Sequence, residues 1–112
     1  MNIQKMMQQA QELQARMQEN QERATEQLAS ERLEGTAGGG LVKIVVNGHK
    51  QLVSVSISPQ AGDPGDPQLL EDLVFTALQA ALNAAEARHA EVMGEILAGL
   101  NMGGMDLKGL LG

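Results

Sequence analysis

Between Ile3 and about Gln27 the chain contains neither glycine nor proline and is dominated by Gln, Met, Ala, Glu, Leu and Arg, so the sequence predicts one continuous helix. At ~1.5 Å per residue such a helix is roughly 38 Å long, whereas a compact domain of this size has a radius of gyration of only about 13 Å. The helix must therefore run out past its own fold. Ile3, Met6, Ala10, Leu13, Met17 and Ala24 recur at three- and four-residue steps, with Asn20 interrupting. That spacing makes a narrow heptad-like seam with an apolar appetite of its own. Glu12 and Arg16, and Glu19 and Arg23, stand in the favourable i,i+4 order along its flank.

From Ser30 to Ser58 the period changes to two. Val42, Ile44 and Val46 alternate with Leu41, Lys43 and Val45, and Val53, Val55 and Ile57 alternate with Leu52, Ser54 and Ser56. Asn47-Gly48-His49-Lys50 between them is a hairpin signal. A four-residue loop sets Val46 opposite Gln51, Ile44 opposite Val53 and Val42 opposite Val55, whereas a three-residue loop misaligns the apolar faces. Upstream, Ala37-Gly38-Gly39-Gly40 as a loop sets Leu33 opposite Ile44 and Glu34 opposite Lys43, an attractive cross-strand pair. The expectation is a three-stranded antiparallel meander.

Residues 59–66, PQAGDPGD, read as a loop. Asp66 suits a helix N-cap, Pro67 the first helical position, and Glu71 and Asp72 the opening turns, so a second helix is predicted from Pro67 to about Ala98. It carries a line of Phe75, Leu78, Leu82, Ala85, His89, Val92 and Ile96, broadened by many alanines that permit close approach. The expected division is one dimerising domain over residues 1–98 and a Gly/Met-rich flexible tail over 99–112.

A small sheet can cover only part of two such helices, and a second copy of the chain is the simplest cover for the rest. The fold class expected is α+β: helix, three-stranded antiparallel sheet, helix, assembled as an intertwined homodimer with projecting helices. Met6, Leu13, Met17, Leu78 and Leu82 are the candidate dimer contacts.

Little in the chain points to catalysis. It has no cysteine, hence no thiol nucleophile and no cysteine-based metal centre. His49 falls in the predicted turn as a solvated residue, and His89 falls on the second helix with no acid at metal-ligand spacing. Ser54, Ser56 and Ser58 form a polar strand face rather than a nucleophile with its base. Gly38-Gly39-Gly40 precedes a strand instead of opening a helix, which argues against a phosphate loop. Asp63, Asp66, Glu71 and Asp72 are explained by turn and cap chemistry rather than calcium. No enzyme activity, metal or cofactor is expected. No stretch reaches the 18 apolar residues of a membrane span, and no signal-peptide core opens the chain, so a soluble, cytoplasmic protein is expected.

Eight Lys and Arg stand against fourteen Asp and Glu, a formal charge of −6, which by itself argues against a polyanionic partner. It fits better an acidic helical adaptor that binds a replication or recombination protein. With Phe75 as the only aromatic residue, base-stacking platforms for single strands are disfavoured, and any nucleic acid bound would be duplex, held through its phosphates.

Three segments, QQAQELQARMQ, GGGLVKIVVNG and LLEDLVFTALQAAL, followed by MGGM, occur in an order that closely resembles the YbaB/EbfC family of bacterial nucleoid-associated proteins. The resemblance runs from about residue 4 to 105. It implies a tight, tweezer-like homodimer that binds double-stranded DNA with limited sequence selectivity, alters its conformation, and serves nucleoid organisation, gene expression and DNA protection. Arg16 matches the basic position of Q-x-[KR]-M-Q, and Lys43 matches the lysine of GLVK. With Arg23, Arg32, Lys50 and Arg88 these are the candidate DNA contacts. Gln8, Val53, Ser54, Asn83 and Ala84 stand where relatives often carry basic residues.

Overall fold

The computed structural model describes residues 2–62 and 65–102. Helix α1 spans Ile3–Ser30, strands β1, β2 and β3 span Leu33–Ala37, Val42–Val46 and Leu52–Ile57, a 3₁₀ turn spans Pro59–Ala61, and helix α2 spans Pro67–Met102. The three strands form an antiparallel sheet in the order β1-β2-β3. The expected α+β class and element order are what the chain adopts.

Local chemistry sets most boundaries. The Asn2 side chain accepts a hydrogen bond from the Gln4 N–H at 3.1 Å and opens α1. Asp66 does the same for α2, accepting from the Leu69 N–H at 3.2 Å. α1 runs three residues past its expected end, stopping where Glu31 turns extended. α2 continues through Gly99 to Met102, four residues beyond the expected end. The tail expected to be flexible, from residue 103 onward, lies outside the described residues.

The strand registers differ from those predicted. Leu33 pairs with Val46, Gly35 with Ile44 and Ala37 with Val42, two residues away from the expected pairing. Ala37 is buried within β1, and Gly38, Gly39 and Gly40, all at positive φ, make the turn instead. A shift of two preserves face parity, so the apolar pattern could not distinguish the two registers. Glu34 and Lys43 still meet diagonally, at 3.4 Å.

At the second hairpin the Asn47 N–H donates to the Gln51 carbonyl at 2.9 Å, and the Lys50 N–H donates to the Asn47 carbonyl at 3.0 Å. Lys50 sits at φ 65°, closing a three-residue loop of the turn-plus-left-handed-residue kind. The misalignment expected of that loop is corrected by a bulge: Leu52 pairs with Val46 but Ser54 with Val45, leaving Val53 as the extra residue. Ile44 then faces Val55, and Val42 faces Ile57.

Val42, Ile44 and Val46 are buried beneath α2, against Ala77, Ala81 and Ala85. The alanines make this contact close, and Gly35 makes it closer. α2 lies over β1 and β2, and all six residues of β3 are exposed. Of the expected line, Ala85 and Val92 are buried, Leu82 and Ile96 half-buried, and Phe75, Leu78 and His89 exposed. Toward its N-terminus α2 buries Ala77 and Ala81 instead, with Val74 half-buried, a stripe about 60° or more around the helix from Phe75, Leu78 and Leu82. Phe75 is 69% exposed.

α1 is attached to this body only near its C-terminus. Ala24 and Leu28 pack against Val92, with Ile96 alongside. The Gly48 N–H donates to the Leu28 carbonyl at 2.8 Å. A side chain at Gly48 would strike Leu28, so this glycine serves proximity rather than a left-handed turn. His49 is exposed, as expected of a turn residue, and its ring meets the Thr25 carbonyl at 3.0 Å, which adds a tie between turn and helix. The radius of gyration is 21.4 Å and the longest extent 78 Å, so the chain is far more extended than a compact domain of its length.

Candidate nucleic-acid interface

Lys5, Arg16 and Arg23 lie eleven and seven residues apart on α1. At about 100° per residue these intervals bring all three within roughly 20° of one another, in a line some 27 Å long on an exposed helix face. Lys5 was not among the candidates; its eleven-residue interval from Arg16 was the signal that identifies it. Residues 3–18 hold two cations against one anion, Glu12, while α2 holds one arginine against five carboxylates. The acidic excess of the chain is therefore concentrated away from the free end of α1.

The cations differ in what occupies them. Arg23 is paired with Glu19. The expected Glu12–Arg16 ion pair does not form, and Lys5, Arg16 and Lys50 have no acidic partner among the described residues. Arg32 donates to the carbonyls of Ala29 at 3.1 Å and Glu31 at 2.9 Å, closing the end of α1. Lys43 lies on the sheet face opposite α2, beside Glu34. Arg88 is committed to two carboxylates, donating through Nε and Nη2 to Glu31 Oε1 at 2.9 and 2.8 Å and through Nη1 to Glu91 Oε2 at 2.9 Å. The hydrogen bonds from Glu91 and Glu31 hold its guanidinium pKa above the ordinary value.

The expected dimer contacts are all at least partly open: Met6, Met17 and Leu78 are exposed, and Leu13 and Leu82 are half-buried. Val55 and Ile57, 48% and 45% exposed, sit on the α2-facing side of β3, where α2 does not reach. Glu86 and His89 line a cleft with Gly48, His49 and Lys50, so this flank of α2 faces the β2–β3 turn. On the same flank, turn by turn toward its N-terminus, stand Leu82, Leu78 and Phe75. The two elements thus frame one open apolar trough. No group of three or more His, Asp or Glu suited to a metal ion occurs among the described residues. No described helix is long and apolar enough to cross a membrane.

A small sheet thus carries one helix across it, and a second helix stands out from the body bearing a line of cations on an exposed face. The sequence model of the YbaB/EbfC DNA-binding family matches residues 1–100, and the chain belongs to that family. It is 44% identical to a nucleoid-associated protein of Caldanaerobacter subterraneus, over 93% of this chain and 90% of that one. It is 47% identical to a nucleoid-associated protein of a Geobacillus species, over 70% and 73% of the two chains. Among solved structures, an uncharacterised protein of Helicobacter pylori shares the fold with a TM-score of 0.71 at 21% identity, covering 87% of this chain and 98% of that one.

Proposed function

We propose that the protein is a homodimeric, nucleoid-located DNA-binding protein that grips duplex DNA between its projecting α1 helices, with little sequence selectivity, and changes the path of the DNA. Nucleoid organisation, gene regulation and DNA protection follow from that action. The observation that carries the reading is the line of Lys5, Arg16 and Arg23 along an exposed face of α1, whose first sixteen residues hold more cations than anions. A few cations on a helix that meets phosphates position a protein without reading bases, which accounts for low selectivity. Arg32 and Lys50 supply secondary contacts from the body, whereas Lys43, held by Glu34, supplies little. Arg88 is left out, because two carboxylates hold it.

Dimerisation is supported by the trough of Val55, Ile57, Phe75, Leu78 and Leu82. Covering such side chains contributes on the order of 10 kcal/mol before the cost of association, and a two-fold partner covers both troughs at once. Met6, Leu13 and Met17 extend the apolar surface along α1.

A gel-shift series over salt concentration is the test. Each phosphate neutralised contributes a slope of about −0.9 in log affinity against log salt. Absence of binding at ~50 mM salt, or binding that salt does not weaken, would overturn the reading. A partner protein retained from nuclease-treated lysate, together with no DNA binding, would establish the adaptor alternative, whether that partner serves replication or recombination.

A further inference from the structure

Among the described residues, Arg88 and Glu31 make the one side-chain ion pair that joins α1 to α2, across 57 positions of sequence. Glu31 is the C-cap of α1, and only Arg32 separates it from β1. Both partners are three-quarters buried. The polar ties from Gly48 to Leu28 and from His49 to Thr25, and the packing of Ala24 and Leu28 on Val92, also fall near the C-terminal end of α1. Asn20 and Arg23 still line a cleft with Glu95 and Ile96 of α2, so the free stem runs from Asn20 back to Ile3, about 26 Å. Tilting its base by roughly 10° moves its tip by ~4–5 Å, more than the ~3.4 Å axial interval between phosphates on one strand.

We propose that Arg88 is a positioning residue: by holding Glu31 it fixes the angle at which α1 leaves the body, and so the placement of Lys5 and Arg16 on DNA, while making no contact with phosphate itself. This inference rests on the DNA-binding reading above. It assigns opposite consequences to Glu31. If Arg88 were a phosphate contact, removing the Glu31 charge would free it and tighten binding. As a latch, Glu31→Gln weakens binding just as Arg88→Gln does.

The chain has no cysteine, so Gln9→Cys and Ser56→Cys give two unique labelling sites, one on the free part of α1 and one on the outer sheet face. Doubly labelled protein diluted into excess unlabelled protein reports the distance from stem to body by pulsed electron resonance. The expected result is a single narrow distribution in the parent that shifts and broadens in both Glu31→Gln and Arg88→Gln. Duplex affinity falls roughly tenfold in each, the double variant is no weaker than either single, and the salt slope is unchanged because no phosphate contact is lost. Arg88→Lys keeps the charge but not the three-way hydrogen bonding and falls between.

Tighter binding by Glu31→Gln, or a salt slope reduced by about 0.9 in Arg88→Gln alone, overturns the proposal, as does a distance distribution that neither variant alters. If the parent binds no DNA yet the distances respond, the DNA reading fails while the latch stands. Denaturation midpoints confirm that each variant is folded.

Discussion

Gly35 on β1 lies so close beneath α2 that a Cβ placed on it would come within 2.0 Å of the Ala77 carbonyl oxygen. The same atom would stand 2.4 Å from the Ala81 amide nitrogen. Backbone cannot yield as a flexible side chain would, so strand and helix must separate. Gly35→Ala is expected to destabilise the fold by about 3 kcal/mol or more, read from urea denaturation. Gly39→Ala, in open space but at φ 70°, should cost only about 1–2 kcal/mol.

Asn47 is the one buried polar residue among the described side chains. Its Oδ1 accepts from the His49 and Gln51 N–H groups at 2.9 and 3.0 Å, and its Nδ2 donates to Gln51 Oε1 at 2.8 Å. Asn47→Ala leaves two part-buried amides without this acceptor and should cost about 1–2 kcal/mol. Asn47→Asp keeps both acceptor bonds and should cost less, which a paired melting comparison would show.

Val55 and Ser56 are neighbours on opposite faces of β3, one turned to the α2 side and the other to the outer side. A lysine at Val55 would place a charge in the apolar trough and should drive the proposed dimer toward monomer in sedimentation at micromolar concentration. A lysine at Ser56 should leave assembly unchanged. Equal behaviour of the two variants would mean that subunits meet elsewhere.

Among the described residues Arg16 has no acidic partner, whereas Lys43 is held by Glu34. Arg16→Gln should therefore weaken duplex binding at all sequences alike and make the salt slope shallower by about 0.9 for each copy engaged, while Lys43→Gln should change it little. Quantitative gel shifts over ~50–200 mM salt would distinguish them.

The raised pKa of Arg88 has a defined sign. A cation whose folded-state value lies above its unfolded value contributes stability that is complete below the unfolded value and is lost only as pH climbs through the folded one. Both lie in strong base. The stability difference between the parent and Arg88→Gln should therefore be flat from about pH 6 to 9 in urea melts, and a steep change in that interval would implicate another group.

Much of the fold was legible because its determinants are local. The glycine-free run of α1, the Asp66-Pro67 start of α2 and the alternation of Val42, Ile44 and Val46 each act within a few residues. The exact pairings were not legible. A two-residue shift leaves the same side chains on the same face, and the bulge at Val53 undid the objection to a three-residue loop. Of the candidate contacts, Arg16 and Lys50 are open, but Arg88 could not be recognised as occupied because Glu31 is 57 positions away.

Sequence alone determined the order of elements, the α+β class and the presence of a helix too long for its own domain, since periodicity, capping and chain length suffice for these. Tertiary structure decided which stripe of α2 is buried. Leucines and alanines surround that helix, and only the close approach permitted by Gly35, Ala77 and Ala81 selects the alanine side, leaving Phe75 and Leu78 open. It also decided which cations are free, because an ion pair depends on where two distant segments meet and not on the spacing within either.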